Sequence, residues 1–205
     1  MDSRAMTAPS PLNLGVLVSG AGTNLQAILD AISAGTLDAR VKVVISNRAG
    51  AQALERAQAA GVRALTISHK DFASREAFDR ALVDALREAE VNWVALAGFM
   101  RVLTPQFLAA YPGRIINIHP SLLPAFPGLD AAKQALEYGV KLTSCTVHFV
   151  DHGVDSGRII AQRAVPVEAG DDLGALAARI HHSEHQLFVD VLREIAAGRV
   201  APFEA

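Results

Sequence analysis

The stretch RIINIHPSLLPAFPG, residues 114–128, places an asparagine and a histidine two positions apart in a run typical of a buried strand. Residues at i and i+2 of a strand project from the same face, so Asn117 and His119 are predicted to lie side by side while the neighbouring isoleucines face the core. Pro120 has no N–H for a sheet ladder, which predicts that the strand ends there. An imidazole can donate or accept a proton near neutral pH, and an amide N–H can stabilise a developing oxyanion.

A carboxylate that could tune this histidine occurs in VDHGVDSGRII, where Asp155 lies between two glycines at a turn before a strand, with Asp151 nearby. A carboxylate beside an imidazole favours the protonated ring and makes it a better proton donor near pH 7. Amide, imidazole and carboxylate together are the parts of an acyl-transfer site without a protein nucleophile. Each also has a plainer interpretation: His119 as a loop histidine, Asn117 as a strand-end hydrogen bonder and Asp155 as a turn residue.

A glycine-rich loop, SGAGTN, joins the first predicted strand to the first predicted helix. Free N–H groups at a helix N-terminus bind anions, so Gly22, Thr23 and Asn24 are candidate phosphate ligands. The dinucleotide pattern GxGxxG would need a glycine at Leu25, and the second strand ends in SNR without an acidic residue for a ribose. The loop therefore favours a monophosphate over NAD. The alternative is a tight turn in which Asn24 or Thr23 caps the helix.

These groups must be positioned by a sheet, because short strand-like runs alternate with alanine-rich helical runs along the first half of the chain. That alternation is typical of βαβ units, and we predict an α/β fold: a Rossmann-like three-layer sandwich with a mostly parallel central sheet. After RIINIH come a proline-rich loop, a short helix, two strand-like runs and a long helix from about residue 171 to 197, so the C-terminal part is predicted to be partly antiparallel. Residues 1–13 are expected to form a flexible tail and residues 14–205 a single domain.

The composition excludes several classes of protein. The net charge is −2 and the pI is about 6.4, so no global positive charge indicates nucleic acid or an anionic membrane as a partner. Cys145 is the only cysteine, which excludes an intramolecular disulfide and fits a cytoplasmic location. No apolar run is long enough to span a membrane. Alanine-rich helices leave both a monomer and a homodimer open.

Four stretches taken together, VLVSGAGTNLQAI, LAGFMRVLTP, INIHPSLLPAFPG and TVHFVDHGVDSGRII, resemble the folate-dependent formyltransferases in order and spacing. The resemblance is strongest to the branch that acts in purine synthesis. It implies transfer of a formyl group from 10-formyltetrahydrofolate to the amine of 5′-phosphoribosylglycinamide, with both small molecules as substrates and no metal. It also implies that Asn117, His119 and Asp155 form the catalytic set, in which the substrate amine attacks the formyl carbon directly.

The same resemblance implies where the ligands bind. The phosphate would lie on Gly22, Thr23 and Asn24, as the loop itself indicates, and the ribose beside Glu184 and His181. The folate would contact Arg75, Met100, Arg101, Val102, Leu103, Asn117, Asp151, His152, Gly153, Val154 and Asp155. Two departures from the family pattern stand near these positions. Asp130 and Ala132 follow FPG where the family often has histidines, and Ser144 replaces a glycine, a change expected to be tolerated in a strand.

The last predicted helix carries Glu184 on its apolar stripe, where a buried carboxylate needs a partner or a ligand; the alternative is a helix flank that touches solvent. Residues 181–185 also spell H-x-x-E-H, the pattern of inverted zinc peptidases, with His181 and His185 on one helix face. A zinc site would leave the NIHPS motif and the glycine-rich loop without a role, and a five-residue match is weak evidence.

Other folate enzymes are closer alternatives. A formyltetrahydrofolate deformylase uses water in place of the amine, and a methionyl-tRNA formyltransferase uses a charged tRNA. Both typically carry a further domain, for which we expect no room in this chain, and no basic surface signal points to tRNA. A nucleotide-binding module without catalysis would keep the glycine-rich loop but would need neither His119 nor Asp155.

Overall fold

The computed structural model describes residues 11–203. The strands are β1 (Leu12–Val18), β2 (Ala39–Ser46), β3 (Ala64–Thr66), β4 (Trp93–Leu96), β5 (Ile115–His119), β6 (Leu142–Phe149) and β7 (Ile159–Pro166). The helices are α1 (Thr23–Ser33), α2 (Gln52–Ala59), α3 (Arg75–Glu88), α4 (Pro105–Ala110), α5 (Ala131–Tyr138) and α6 (Leu173–Ala196). Of the predicted tail 1–13, residues 1–10 lie outside the described residues, and Leu12 and Asn13 already belong to β1.

The strands form one seven-stranded sheet in the order β3-β2-β1-β4-β5-β6-β7. The first five strands are parallel, whereas β6 runs antiparallel to β5 and β7 antiparallel to β6. The predicted fold class, a mostly parallel sheet with an antiparallel C-terminal part, is confirmed. One strand is shorter than its sequence pattern indicated: β3 is an edge strand of three residues and pairs only with the end of β2, at Val44–Ser46.

Helices cover both faces of the sheet, which is why the central strands are apolar on both sides. In β1, Val16 and Val18 belong to the core cluster under α1 and α6, whereas Leu17 belongs to the cluster under α3 and α4. This alternation follows the two-residue period of a strand. Within residues 11–203, no helix combines the length and the apolar character that crossing a bilayer requires.

The strand order places the ends of β1, β4 and β5 next to one another at the carboxyl edge of the sheet. The chain leaves β1 toward β2 on one side and returns from β3 to β4 on the other side of β1. In open α/β sheets such a reversal opens a crevice between the diverging loops, and ligands bind there. The glycine-rich loop follows β1, the segment with Met100–Leu103 follows β4, and His119 is the last residue of β5.

Candidate active site

The end of β5 presents the predicted pair of polar side chains. Asn117 and His119 occupy alternate positions of the strand, and His119 is 4% exposed. His119 Nδ1 lies 3.3 Å from Asp155 Oδ2, and Asn117 Nδ2 lies 3.4 Å from Asp155 Oδ1. The structure therefore brings the amide, the imidazole and the carboxylate together, although they come from segments far apart in the chain.

Asp155 is the centre of this cluster. Its Oδ2 also accepts a hydrogen bond from the backbone N–H of Gly128, at 2.8 Å, which ties the proline-rich loop to the site. Burial alone would raise the pKa of Asp155, but the neighbouring His148 ring, the Gly128 N–H and the His119 ring outweigh it and hold the pKa below its ordinary value. The carboxylate is therefore ionised at neutral pH. Its backbone has φ 52°, in the left-handed region, which aspartate tolerates better than most residues.

The second ring nitrogen of His119 faces the proline-rich loop. Nε2 lies 2.9 Å from the carbonyl oxygen of Phe126, a residue that itself has φ 55°. Because a carboxylate and a carbonyl can only accept, both ring nitrogens of His119 face acceptors. Both N–H groups of a protonated His119 ring would therefore have a hydrogen-bond acceptor. The protonated ring is the form that can stabilise negative charge or donate a proton.

His148 completes the cluster and was not predicted as a site residue from the sequence. It lies opposite Asn117 on β6, is 2% exposed, and its Nε2 is 3.1 Å from Asn117 Nδ2. The alternation in TVHF predicts only that His148 and Thr146 share a face of a strand. The pairing register of β6 against β5, which the sequence does not reveal, makes His148 a neighbour of Asn117.

A cavity of about 390 Å³ opens beside this cluster. Its lining includes Asn117, His119, His148 and Asp155 together with most of the predicted folate contacts, namely Met100, Arg101, Val102, Leu103, Asp151, Gly153 and Val154. His152 belongs to the same loop but does not line the cavity. Arg75 lies outside the lining as well, and its Nη2 donates to the Val102 carbonyl at 2.8 Å. Arg75 thus holds the backbone at Val102, a residue that lines the cavity.

The glycine-rich loop ends at an uncapped helix. Gly22 is the N-cap of α1 with φ 71°, and no side chain caps the first turn, so neither Thr23 nor Asn24 plays the capping role of the alternative interpretation. A Cβ at Gly22 would lie 2.5 Å from the Cβ of Ala53, so this position requires glycine for both conformation and space. The N–H groups of the first turn are left for a ligand, as an anion site requires.

The Asn24 side chain turns inward rather than toward the loop. Its Nδ2 donates to Glu184 Oε2 at 3.3 Å, and Asn24 is 8% exposed, so only its backbone N–H is free to meet a phosphate. Glu184 Oε2 also accepts from His181 Nδ1 at 2.8 Å. This hydrogen bond raises the pKa of His181 above its ordinary value, against the opposing effect of burial. The predicted ribose ligands therefore lie beside the predicted phosphate loop.

Within the H-x-x-E-H segment, Glu184 Oε2 accepts from His181 Nδ1. His185 Nε2 is buried and has no hydrogen-bond partner among residues 11–203. Over the same range, no three His, Cys, Asp or Glu side chains are grouped so that they could hold a metal ion.

Ser19 connects the two loops that flank the crevice. Its Oγ accepts from the backbone N–H of Met100 at 2.9 Å and donates to Asn47 Oδ1 at 2.7 Å. Its own N–H donates to the Gly98 carbonyl at 3.1 Å. The glycine-rich loop and the segment that contains Met100 are thus fixed to each other by direct hydrogen bonds.

Fold and site together define a Rossmann-like α/β protein in which an amide, an imidazole and a carboxylate meet at the carboxyl edge of the sheet. A family model described as formyl transferase matches residues 12–192. The chain belongs to the formyl transferase family.

Individual relatives agree with this assignment. The phosphoribosylglycinamide formyltransferase of Escherichia coli (strain K12) is 45% identical over 193 residues, which are 94% of this chain and 91% of that protein. A trifunctional purine biosynthetic protein of Drosophila pseudoobscura pseudoobscura is 53% identical over 187 residues, or 90% of this chain, but the chain spans only 14% of its length. A crystal structure of glycinamide ribonucleotide transformylase 1 from Symbiobacterium toebii superposes with a TM-score of 0.91 at 53% identity, covering 93% of this chain and 90% of that one.

Proposed function

We propose that this chain transfers a formyl group from 10-formyltetrahydrofolate to the amine of 5′-phosphoribosylglycinamide, a step of purine biosynthesis. The observation that carries the proposal is the convergence of Asn117, His119 and Asp155 in one cavity, near a glycine-rich loop that ends at an uncapped helix N-terminus. The names of the relatives in Escherichia coli and Symbiobacterium toebii support the same acceptor. We also propose that the protein works in the cytoplasm, where its buried Cys145 stays reduced.

The acceptor fits the polar side of the crevice. The uncapped first turn of α1 at Gly22 and Thr23 would hold the phosphate through backbone N–H groups. Glu184 would hold the ribose hydroxyls: Asn24 and His181 both bond to its Oε2, which leaves Oε1 as an acceptor for a ligand. The amine of the acceptor would then extend toward the end of β5.

The donor fits the apolar side. Met100, Val102, Leu129 and Val154 line the cavity and are exposed by 56%, 49%, 72% and 55%, which is unusual for large apolar side chains. A flat aromatic ligand such as the pterin and benzoyl rings of a folate would cover them. Arg75, held at the rim by the Val102 carbonyl, would meet the glutamate end of the donor.

The chemistry follows from the charges of the cluster. The unprotonated acceptor amine attacks the formyl carbon, a C–N bond forms, and the formyl oxygen becomes negative. The His119 imidazolium and an Asn117 N–H stabilise this oxyanion, and Asp155 stabilises the imidazolium. As the bond from the formyl carbon to folate N10 breaks, the proton lost by the amine passes to N10 with the help of His119. No bond to the protein forms.

The hydrogen bond between His119 and the Phe126 carbonyl must break when the formyl donor binds. It occupies the Nε2 side of His119 at 2.9 Å, the side from which that nitrogen would donate to an oxyanion. The formyl oxygen must therefore replace this carbonyl as the acceptor. The loop around Phe126 is held through Gly128 and Asp155, so the same carboxylate orients the ring and the loop that covers it.

A spectrophotometric assay tests the proposal: 10-formyltetrahydrofolate is mixed with the protein, and its conversion to tetrahydrofolate is followed with and without 5′-phosphoribosylglycinamide. We expect conversion only with the amine, with one formylated product for each donor consumed. Equal conversion without the amine would indicate a deformylase. A requirement for charged tRNA would indicate a methionyl-tRNA formyltransferase.

His119→Ala distinguishes an enzyme from a module that only binds nucleotides. Loss of one oxyanion donor commonly costs about a hundredfold or more in rate, so turnover should fall by at least that factor. Unchanged turnover would refute the role of His119. A chelator-treated sample measured in parallel tests the zinc alternative, because restoration of activity by stoichiometric zinc would contradict direct transfer without a metal.

A further inference from the structure

The helix α2 packs directly against the glycine-rich loop. The backbone N–H of Ala53 donates to the Gly20 carbonyl at 3.1 Å, and a Cβ at Gly22 would lie 2.5 Å from the Cβ of Ala53. One turn further along α2, the Nε–H of Arg56 donates to the Ala21 carbonyl at 2.8 Å. Two consecutive carbonyl groups of the loop are therefore bound by donors from the same helix.

These two bonds fix the direction of N–H groups in the loop. The C=O and the N–H of a trans peptide point to opposite sides, so the bond to the Ala21 carbonyl turns the Gly22 N–H away from α2. The bond to the Gly20 carbonyl acts in the same way on the Ala21 N–H. Among residues 11–203, no backbone carbonyl accepts from the N–H of Ala21, Gly22 or Thr23. These donors are therefore left for a ligand, as an anion site requires.

Arg56 also brings a positive charge to this loop. It is half-buried, and its Nη1 donates to Gln26 Oε1 on α1 at 3.1 Å. None of the ion pairs formed among residues 11–203 includes Arg56, so its partners, a backbone carbonyl and a side-chain amide, are both neutral. A guanidinium is always charged, and one without an acidic partner favours an anion beside it.

The charge acts on a donor that would meet a phosphate. Hydrogen bonds that follow one another polarise each other, so a guanidinium on the carbonyl of a peptide strengthens the N–H of the same peptide as a donor. For the peptide between Ala21 and Gly22, that donor is the Gly22 N–H. If the Arg56 bond were lost, this peptide would be free to rotate and to present its carbonyl oxygen, which can only accept, to the phosphate.

We infer that Arg56 is a positioning residue of the phosphate site, which holds the peptide between Ala21 and Gly22 with its N–H toward the ligand and places a positive charge behind it. This inference rests on the proposed function. Because Arg56 acts through the main chain of the loop, its contribution concerns the phosphate and not the amine or the formyl donor. Its replacement should therefore weaken binding of the acceptor and leave the chemical step almost unaffected.

Steady-state kinetics of two Arg56 variants test the inference. Arg56→Met keeps an apolar stem but neither the charge nor the donors, and we expect it to raise the KM of the acceptor about tenfold. The kcat and the KM of the formyl donor should stay within about threefold of the wild type. Arg56→Lys keeps a charge and a donor and should recover most of the lost affinity. Arg63→Met, which removes the same groups from an exposed pair with Glu88, is the control and should keep wild-type kinetics.

Three kinetic results would overturn the inference. An unchanged acceptor KM in Arg56→Met would show that the loop binds phosphate without this bond. A loss of kcat as large as the rise in KM would indicate a general distortion of the site. Equal losses in the Lys and Met variants would show that neither the charge nor a donor at this position matters.

Binding of ribose 5-phosphate to the unliganded protein gives a test that does not depend on activity. In ¹H–¹⁵N NMR spectra of glycine-labelled protein, the Gly22 signal is assigned as the one missing from the Gly22→Ala spectrum. We expect ribose 5-phosphate to shift this signal, with a Kd about tenfold weaker in Arg56→Met than in the wild type. Equal Kd values, or a Gly22 signal that does not respond, would overturn the inference. If the wild type transferred no formyl group but bound ribose 5-phosphate in this Arg56-dependent way, the proposed function would fail while the inference stood.

Discussion

Replacing Asp155 by asparagine removes the negative charge and one of the two acceptor oxygens. Asparagine has nearly the same shape and also tolerates the left-handed backbone seen here at φ 52°. In the wild type, the Asp155 carboxylate accepts a hydrogen bond from the Gly128 N–H at 2.8 Å and lies 3.3 Å from His119 Nδ1 and 3.4 Å from Asn117 Nδ2. An amide has only one acceptor oxygen, so a donor on one side of the new group will meet its NH₂.

The size of the effect follows from the His119 pair. At 3.3 Å, two unit charges interact by about 5 kcal/mol if the effective dielectric constant is about 20, which is an upper bound before desolvation is counted. A hydrogen bond to a charged group contributes about 1.5–3 kcal/mol net. If the imidazolium loses that amount in the transition state, kcat falls about tenfold to two-hundredfold. The lost anchor for the Gly128 N–H should also raise the KM of the formyl donor.

The assay is the formyl-transfer rate of wild type and Asp155→Asn from about pH 5 to about pH 9. Because the pKa of Asp155 lies below its ordinary value of about 4, the wild-type carboxylate is charged throughout this range. Without it, the His119 imidazolium loses its counter-charge in the transition state, so kcat should be lower than that of the wild type across this range. Asp190→Asn, which alters an exposed ion pair with Arg163 and Arg193, is the control and should retain wild-type kcat.

Two results would refute this reasoning. One is a kcat for Asp155→Asn within about twofold of the wild type, since the carboxylate would then not act through His119. The other is an equal loss of kcat in the control Asp190→Asn, since the effect would then not be specific to the site. Stability gives an independent check. Because the pKa of Asp155 is lowered in the folded protein, its ionised carboxylate stabilises the fold at pH values above the ordinary aspartate pKa of about 4, and this stabilisation is lost as the pH falls through the folded-state pKa. The wild-type advantage in unfolding free energy should therefore shrink in acid.

Three further changes give separate expectations. Gly22→Ala should raise the KM of the phosphate-bearing acceptor about tenfold and lower the free energy of unfolding by about 1–2 kcal/mol, because the new Cβ would meet the next helix and φ at this position is 71°. The control is Gly20→Ala, whose Cβ would have no atom within 4 Å, and it should match the wild type in steady-state kinetics and thermal melts. Arg75→Ala removes the bond to the Val102 carbonyl and should raise the KM of the formyl donor about threefold to tenfold, and an unchanged KM would contradict its role. Because the pKa of His181 is raised in the folded protein, its protonation stabilises the fold at pH values below the ordinary histidine pKa of about 6.5, and this stabilisation is lost as the pH rises through the folded-state pKa. In urea unfolding, His181→Gln should therefore lose more unfolding free energy relative to the wild type at about pH 6 than at about pH 9.

The parts of the site that follow from local chain geometry were predictable. The two-residue period of a strand was enough to place Asn117 beside His119, and Pro120 was enough to end the strand at His119. The alternation of strands and helices predicted the fold class, because a parallel sheet needs a helical crossover between neighbouring strands. The residues alone offered both Asp155 and Asp151 as the carboxylate beside His119, and the resemblance to formyltransferases then selected Asp155.

The parts that depend on contacts between distant segments were not predictable. His148 meets Asn117 through the register of two strands, and their side chains are 31 positions apart. Asn24 donates to Glu184 across 160 positions, so its side chain points away from the predicted phosphate loop. The Phe126 carbonyl reaches His119 because of a loop conformation with positive φ at a phenylalanine, which no sequence pattern indicates. Such contacts depend on how loops pack, and loop packing leaves little trace in local composition.

A crystal structure with 5′-phosphoribosylglycinamide and a non-transferable formyl-folate analogue would test the proposed site most directly. We expect the phosphate on the N–H groups at Gly22 and Thr23, the folate rings against Met100 and Val102, and the amine and the formyl oxygen within hydrogen-bond distance of His119 or Asn117. Ligands bound with the amine far from His119, or with the phosphate away from the first turn of α1, would contradict the mechanism.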